Sequence, residues 1–251
     1  RKKITIFFSD IKNFTKTAEG LQPEDLTNYL NEYFSEMTAI ALDCGATIDK
    51  YIGDAMMLFF GDPESKGERD DARACVEMAL RMQEKMQELQ KKWRNNGFAD
   101  PFEIRMGMNT GYCNVGNFGS EQRLTYTIIG GEVNVEQRLE ANADTDGILM
   151  SYETYAHAQD IIDVEERPSI KMKGINREIK VFAGRGRKKS VAKGSSDVAL
   201  FDPGNIRTNR KGFQEDLIIL EFKKIKERLD DMTREIRELR DYKKNDSDSK
   251  L

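Results

Sequence analysis

Two aspartates open the chemical reading of this chain. Asp10 ends the apolar run "ITIFFSD", and Asp54 occupies the turn of "KYIGDAMM". A carboxylate at the end of a buried strand is costly unless something positive meets it. If the strand that ends in Asp10 lies beside the hairpin that carries Asp54, both carboxylates reach one end of a sheet. Two carboxylates that close, with no arginine between them, repel unless cations bridge them. Hard oxygen donors select Mg²⁺ or Mn²⁺, which take few protein ligands and leave the rest to water and substrate phosphates. Just after Asp10, "IKNFT" offers backbone N–H groups at Phe14 and Thr15 and a helix start, where a phosphate can sit. The chemistry this suggests is two-metal phosphoryl or nucleotidyl transfer. Taken singly, Asp10 also fits a helix cap and Asp54 an ordinary turn residue.

Composition narrows the alternatives. Of 251 residues, 38% are hydrophobic and 33% charged, so a packed core under a heavily charged surface is expected. The net charge of -4 argues against a dedicated nucleic-acid binder. No apolar run reaches membrane-span length and no secretory signal opens the chain. Cys44, Cys75 and Cys113 lie far apart without a CxxC pair, which suits a reducing cytoplasm and offers neither a zinc site nor a disulfide frame. The one histidine, His157, stands in a helix-like stretch with no nucleophile motif nearby, so histidine-dependent nucleophilic mechanisms are not expected. Because the chain opens at Arg1 directly in a strand-like run, a preceding regulatory or membrane part is expected.

The elements that must position these residues follow from periodicity. After the strand Ile4–Ile11, Pro23 opens a helix whose apolar residues keep i, i+3, i+4 spacing until Gly45 stops it. "ATIDKYIG" and "AMMLFFG" read as a hairpin turned at Gly53-Asp54. A charged helix spans about Glu68 to Asn96, and the strand Phe102–Gly111 follows. A Gly- and Asn-rich segment then leads to "LTYTIIG", the helix "EVNVEQRLEANA" and three short strands ending near Gly184. The β-α-β-β-α-β order predicts an α+β sandwich with helices over one face of a mainly antiparallel sheet. Residues 185–212 read as a linker and 245–251 as a disordered tail. Between them, 213–244 forms an amphipathic helix whose seam, with Phe222, Leu229 and Ile236 at a positions, suits a coiled coil or docking on its own domain.

Four segments, "FSDIKNFT", "DKYIGDAMMLFFG", "IRMGMNTGYCNVGNFG" and "YTIIGGEVNVEQRLE", stand in this order. Together they resemble the catalytic domain of class III adenylate and guanylate cyclases, over about residues 2 to 184. The resemblance implies a ferredoxin-like βαββαβ fold with extra strands. It also implies a head-to-tail homodimer with two shared sites, and Mg²⁺ or Mn²⁺, two per site. Asp10, Asp54 and the carbonyl of Ile11 match the metal ligands; Lys50 and Thr127 match the purine readers. Asn134 and Arg138 match the pair that holds ribose and stabilises the transition state, and Lys173 matches a phosphate contact. One copy would bring Asp10, Asp54 and the neighbourhood of Lys50, the other Asn134 and Arg138.

The residue chemistry agrees with this. Asn134 and Arg138, at i and i+4, share a helix face; read alone, Arg138 also suits an ion pair with Glu140 or a neighbour. Adenine offers N1 as acceptor and a 6-amino donor, which suits a lysine and a threonine oxygen. Family members that use GTP carry Glu and Cys at these two positions, so ATP is the expected substrate. The alternatives are a guanylate cyclase and an inactive nucleotide-sensing dimerisation module. A diguanylate cyclase, echoed faintly by "GGEV", is disfavoured because "DKYIGD" already supplies the hairpin aspartate. Many adenylate cyclases carry Asp in place of Thr127; the Thr form resembles a subgroup linked to bicarbonate response.

Overall fold

A computed structural model of the protein describes residues 1–171 and 177–188. The matched lysine Lys173, the linker beyond residue 188, the 213–244 helix and the tail lie outside the described residues. Strand β1 (Lys2–Ile11) is buried from Ile4 to Ser9 because both its edges are paired. Antiparallel β3 (Ala55–Phe60) lies on one side and antiparallel β4 (Ile104–Ser120) on the other. With β2 (Thr47–Ile52), β5 (Arg123–Ile129), β6 (Ile148–Ser151), β7 (Ile162–Lys171) and β8 (Glu178–Arg187), the sheet has eight strands among the described residues. Its order is β2-β3-β1-β4-β6-β8-β7, with β5 paired to β4 off that path. Only β4 and β6 run parallel among these pairs.

Local signals hold where they are strongest. Helix α2 (Pro23–Asp43) starts at its proline and ends as Gly45 turns to φ 85°. There the amide of Gly45 donates to Leu42 O and that of Ala46 to Ala41 O, which satisfies the last carbonyls of the helix. The β2–β3 hairpin closes with Ile52 opposite Ala55, leaving a two-residue loop. Its Gly53 takes φ 64°, a conformation cheap only for glycine. Helix α3 (Glu68–Asn95) falls where the pattern places it.

Two expectations change. The strand expected over Phe102–Gly111 is longer: β4 spans 17 residues, continues through the Gly- and Asn-rich segment and pairs with β5 from Asn114 to Ser120. The helices also occupy both faces. Alternation along β1 sends Ile4, Ile6 and Phe8 to one face, where they pack with Met57, Phe59, Ile128 and Val133 of α4 (Gly131–Asn142). It sends Ser9 to the other face, 3.2 Å from the hydroxyl of Tyr33 in α2. Thr5 faces the same way, and a hydroxyl chain runs from it through Thr110 to Thr154 of α5 (Tyr152–Ala158), both links 2.9 Å. At the C-terminal end β8 continues past Gly184 to Arg187, whose guanidinium pairs with Glu77 and Glu84 of α3.

Two glycines in β4 set the height of α4 over the sheet. A Cβ at Gly107 would lie 2.5 Å from the amide nitrogen of Glu140, and one at Gly111 would lie 2.6 Å from Cγ of Glu132. Any side chain there would push the helix outward, and with it the exposed residues Asn134 and Arg138.

Candidate active site

The antiparallel registers bring the two aspartates together. Asp10 is the penultimate residue of β1, and Asp54 is the second residue of the hairpin turn, two residues before Met56, which pairs with Ser9. The amide of Ile11 donates to Asp54 Oδ2 at 3.1 Å. Burial, and behind it the neighbouring Asp10 carboxyl, lift the Asp54 carboxyl to about 7. Beside them opens a cleft of about 400 Å³ lined by Asp10, Ile11, Asn13, Phe14, Thr15, Lys16 and Asp54. Phe14 and Thr15 line the same cleft, at the start of the short helix α1 (Phe14–Glu19), where Asn13 takes φ 55°. Lys16, which periodicity gives no reason to single out, adds a cation to the same wall.

Arg105, which sequence reasoning does not single out, stands beside one of the two carboxylates. The β1–β4 register sets Arg105 opposite Asp10. Its Nη2 lies 3.0 Å from Asp10 Oδ2 and 3.0 Å from Glu140 Oε1, and Nη1 donates to the carbonyl of Ala141 at 3.2 Å. Glu140 is thus taken by Arg105 and not by Arg138, the partner that a local i, i+2 reading allows. Burial pushes the Glu140 carboxyl up to about 7 against the pull of Arg105. The side chains of Asn134 and Arg138 are exposed on α4 and find no hydrogen bond or ion pair among the described residues.

Lys50 and Thr127 meet within one chain, their Nζ and Oγ1 atoms 3.0 Å apart. Behind them lies Asp49, whose side chain is fully buried (0% exposed). It accepts the Thr127 hydroxyl at 2.7 Å and lies 3.2 Å from Lys50 Nζ. Sequence reasoning passes over Asp49 because neighbours on a regular strand face opposite ways. The β2–β3 register slips between Ile48 and Lys50, and this bulge turns Asp49 and Lys50 toward the same partner.

The donor set suits a hard divalent cation. Two carboxylates and a backbone carbonyl are oxygen ligands of the kind Mg²⁺ accepts while keeping water and substrate oxygens. Among the described residues no group of three or more His, Cys, Asp or Glu forms a closed cage. A second cavity, about 210 Å³, lies against Asn142, Leu149, Ile170 and Val181. The charges at its rim, Arg167 and Asp144, neutralise each other at 2.7 Å.

Beneath α4, Glu136 is 0% exposed and neither of its carboxyl oxygens has a hydrogen-bond partner among the described residues. Burial, then Glu140, hold this acid well above the ordinary range. The folded state therefore holds its proton more tightly than the unfolded chain. That contribution is present at acid pH and is lost as pH rises above the unfolded value, by up to about 1.4 kcal/mol per unit. Glu136→Gln should match wild type near pH 5 and exceed it progressively toward pH 8 in urea melts. Asp54 titrates in both proteins and cancels in the difference. A gap that stays constant with pH would show that the acid is not the cause.

A palm of ferredoxin-like type, with paired carboxylates at one end of its central strands, defines a class of nucleotide-handling catalytic domain. A family model described as the adenylate and guanylate cyclase catalytic domain matches residues 1–185. The chain belongs to that family. It is 30% identical over 184 residues to adenylate cyclase 1 of Rhizobium meliloti (strain 1021), a match covering 72% of this chain and 27% of that protein. Among solved structures, the adenylyl cyclase CyaB from P. aeruginosa is similar at 48% identity and TM-score 0.71, over 73% of this chain and 93% of that one. The guanylyl cyclase Cya2 is similar at 34% identity and TM-score 0.70, over 76% of this chain and 95% of that one. The chain thus spans little more than a quarter of its first curated relative's length. Among the described residues no helix is long and apolar enough to cross a membrane.

Proposed function

We propose that the protein converts ATP to 3′,5′-cyclic AMP and pyrophosphate at sites shared by two copies of the chain. The convergence of Asp10 and Asp54 on one cleft carries this reading. Mg²⁺ or Mn²⁺ held by Asp10, Asp54 and the Ile11 carbonyl would supply Lewis acidity toward the ribose 3′-hydroxyl and the triphosphate. The backbone N–H groups at Phe14 and Thr15 receive phosphate oxygens, while Lys16 and Arg105 add positive charge beside them. Asn134 orients the ribose, and Arg138 presents a permanent guanidinium to the charge that grows on the α-phosphate during in-line attack. No side chain need act as general base, so the chemistry rests on positioning and charge.

Several features favour a site completed by a second copy. Asn134 and Arg138 are unengaged in their own chain, as far as the described residues go. Ile52, Leu124 and Ile129 are large apolar side chains left 50%, 61% and 47% exposed beside the hairpin and on β5. Such residues suit burial against another copy.

Lys50 donates to purine N1 and Thr127 accepts from the 6-amino group, which favours ATP. Guanylate cyclisation is the second reading, because a guanylyl cyclase stands among the similar structures. Turnover of radiolabelled ATP and GTP with Mn²⁺ decides between them. Cyclic AMP as the main product is expected; cyclic GMP alone would overturn the substrate, and no cyclic product from either would overturn the activity.

A further inference from the structure

A threonine hydroxyl carries one proton, so what it tells a ligand depends on where that proton already points. It can donate to an oxo group or accept from an amino group. In this protein the proton has a fixed destination. Both Asp49 oxygens lie within bonding distance of Thr127 Oγ1, at 2.9 Å and 2.7 Å, and a carboxylate can only accept. Lys50 donates its own N–H to the same oxygen at 3.0 Å. Thr127 Oγ1 is then left with one lone pair and no proton to give. The amide of Ile128, 3.4 Å from Asp49 Oδ2, helps hold the carboxylate in place. Full burial of the Asp49 side chain keeps water from competing for the bond.

We propose that Asp49 is a specificity-determining residue that locks Thr127 as a hydrogen-bond acceptor and so selects a 6-aminopurine over a 6-oxopurine. This rests on the reading of Lys50 and Thr127 as the base-recognising pair. A 6-amino group donates to the remaining lone pair. A 6-oxo group meets lone pair against lone pair, unless the hydroxyl abandons Asp49 and leaves a buried carboxylate short of a partner. Lys50 is held by the same group. Its Nζ lies 3.2 Å from Asp49 Oδ1. With one N–H on Asp49 and one on Thr127, the ammonium keeps its last donor free for the ring nitrogen.

The test compares kcat/KM for ATP, GTP and purine riboside 5′-triphosphate, which lacks the 6-amino group, in wild type and Asp49→Asn. An asparagine can turn either its carbonyl or its amide toward Thr127, so the hydroxyl is no longer locked. The variant should lose about tenfold on ATP and less than about threefold on the purine riboside analogue, and its ATP:GTP preference should fall about tenfold. In a Thr127→Val background the same Asp49 change should leave the ATP:GTP ratio where Thr127→Val put it. Equal losses on ATP and the analogue would overturn the proposal and make Asp49 a packing residue only. If wild type itself does not distinguish ATP from the analogue, Thr127 does not read the 6-position, and the base-recognition reading fails together with the proposal. Should Asp49→Asn not fold by circular dichroism, Asp49→Ser, equally unlocked, takes its place with the same expected pattern.

Discussion

Asp54→Asn and Arg138→Ala proteins are each expected to make cyclic AMP at about a thousandth of the wild-type rate, yet co-expressed with different tags they should recover about a quarter of it. The losses follow from separate roles. Asp54 shares one cleft with Asp10, and an amide there can neither match its charge nor hold a cation as well. Arg138 stands free on α4, so its removal takes away charge stabilisation without breaking an ion pair among the described residues. The recovery follows from symmetry. In a closed twofold dimer each site would draw Asp54 from one copy and Arg138 from the other. A mixed dimer then holds one site with both residues intact and one with neither. Random pairing makes about half the dimers mixed, with half their sites competent, and the product is about a quarter. Purifying the doubly tagged species should raise this to about half. A mixture no more active than its parents would place Asp54 and Arg138 in the same chain's site.

Exchanging Lys50 for Glu together with Thr127 for Cys should move the ATP:GTP preference by at least about a hundredfold toward GTP. Glutamate accepts from the N1–H and 2-amino donors of guanine, which a lysine cannot serve. A thiol is a weaker donor to Asp49 than a hydroxyl is, so its proton turns to O6 more readily than that of Thr127, which Asp49 holds. The same buried Asp49 would sit beside the new glutamate as a like charge, so total activity should fall even as preference turns. Adding Asp49→Asn to the double exchange should restore part of that activity on GTP. Competition assays with both nucleotides in one reaction give the ratio directly. An unmoved ratio would mean that Lys50 and Thr127 do not face the base.

Much of this machinery is legible along the chain because it is local. The hairpin that carries Asp54 is a glycine with positive φ between two apolar runs, and the stop of α2 at Gly45 is likewise a two-bond capping motif. Asn134 and Arg138 share a helix face by spacing alone, and their exposure on α4 agrees. Four motifs in order are enough to indicate the family, and the family match over residues 1–185 bears that out.

Tertiary structure decided what depends on register. Arg105 meets Asp10 across 95 positions because two antiparallel strands align Ile11 with Ile104. A one-residue slip would have sent the guanidinium to the opposite face. Which face α4 covers was settled by Gly107, which admits the helix backbone at Glu140, and by Gly111, which admits the Glu132 side chain. Asp49 reaches Thr127 only because a bulge breaks the alternation that any pattern reading assumes. Periodicity describes a strand by itself; pairing, slip and close approach belong to its neighbours, and they placed the charges around this site.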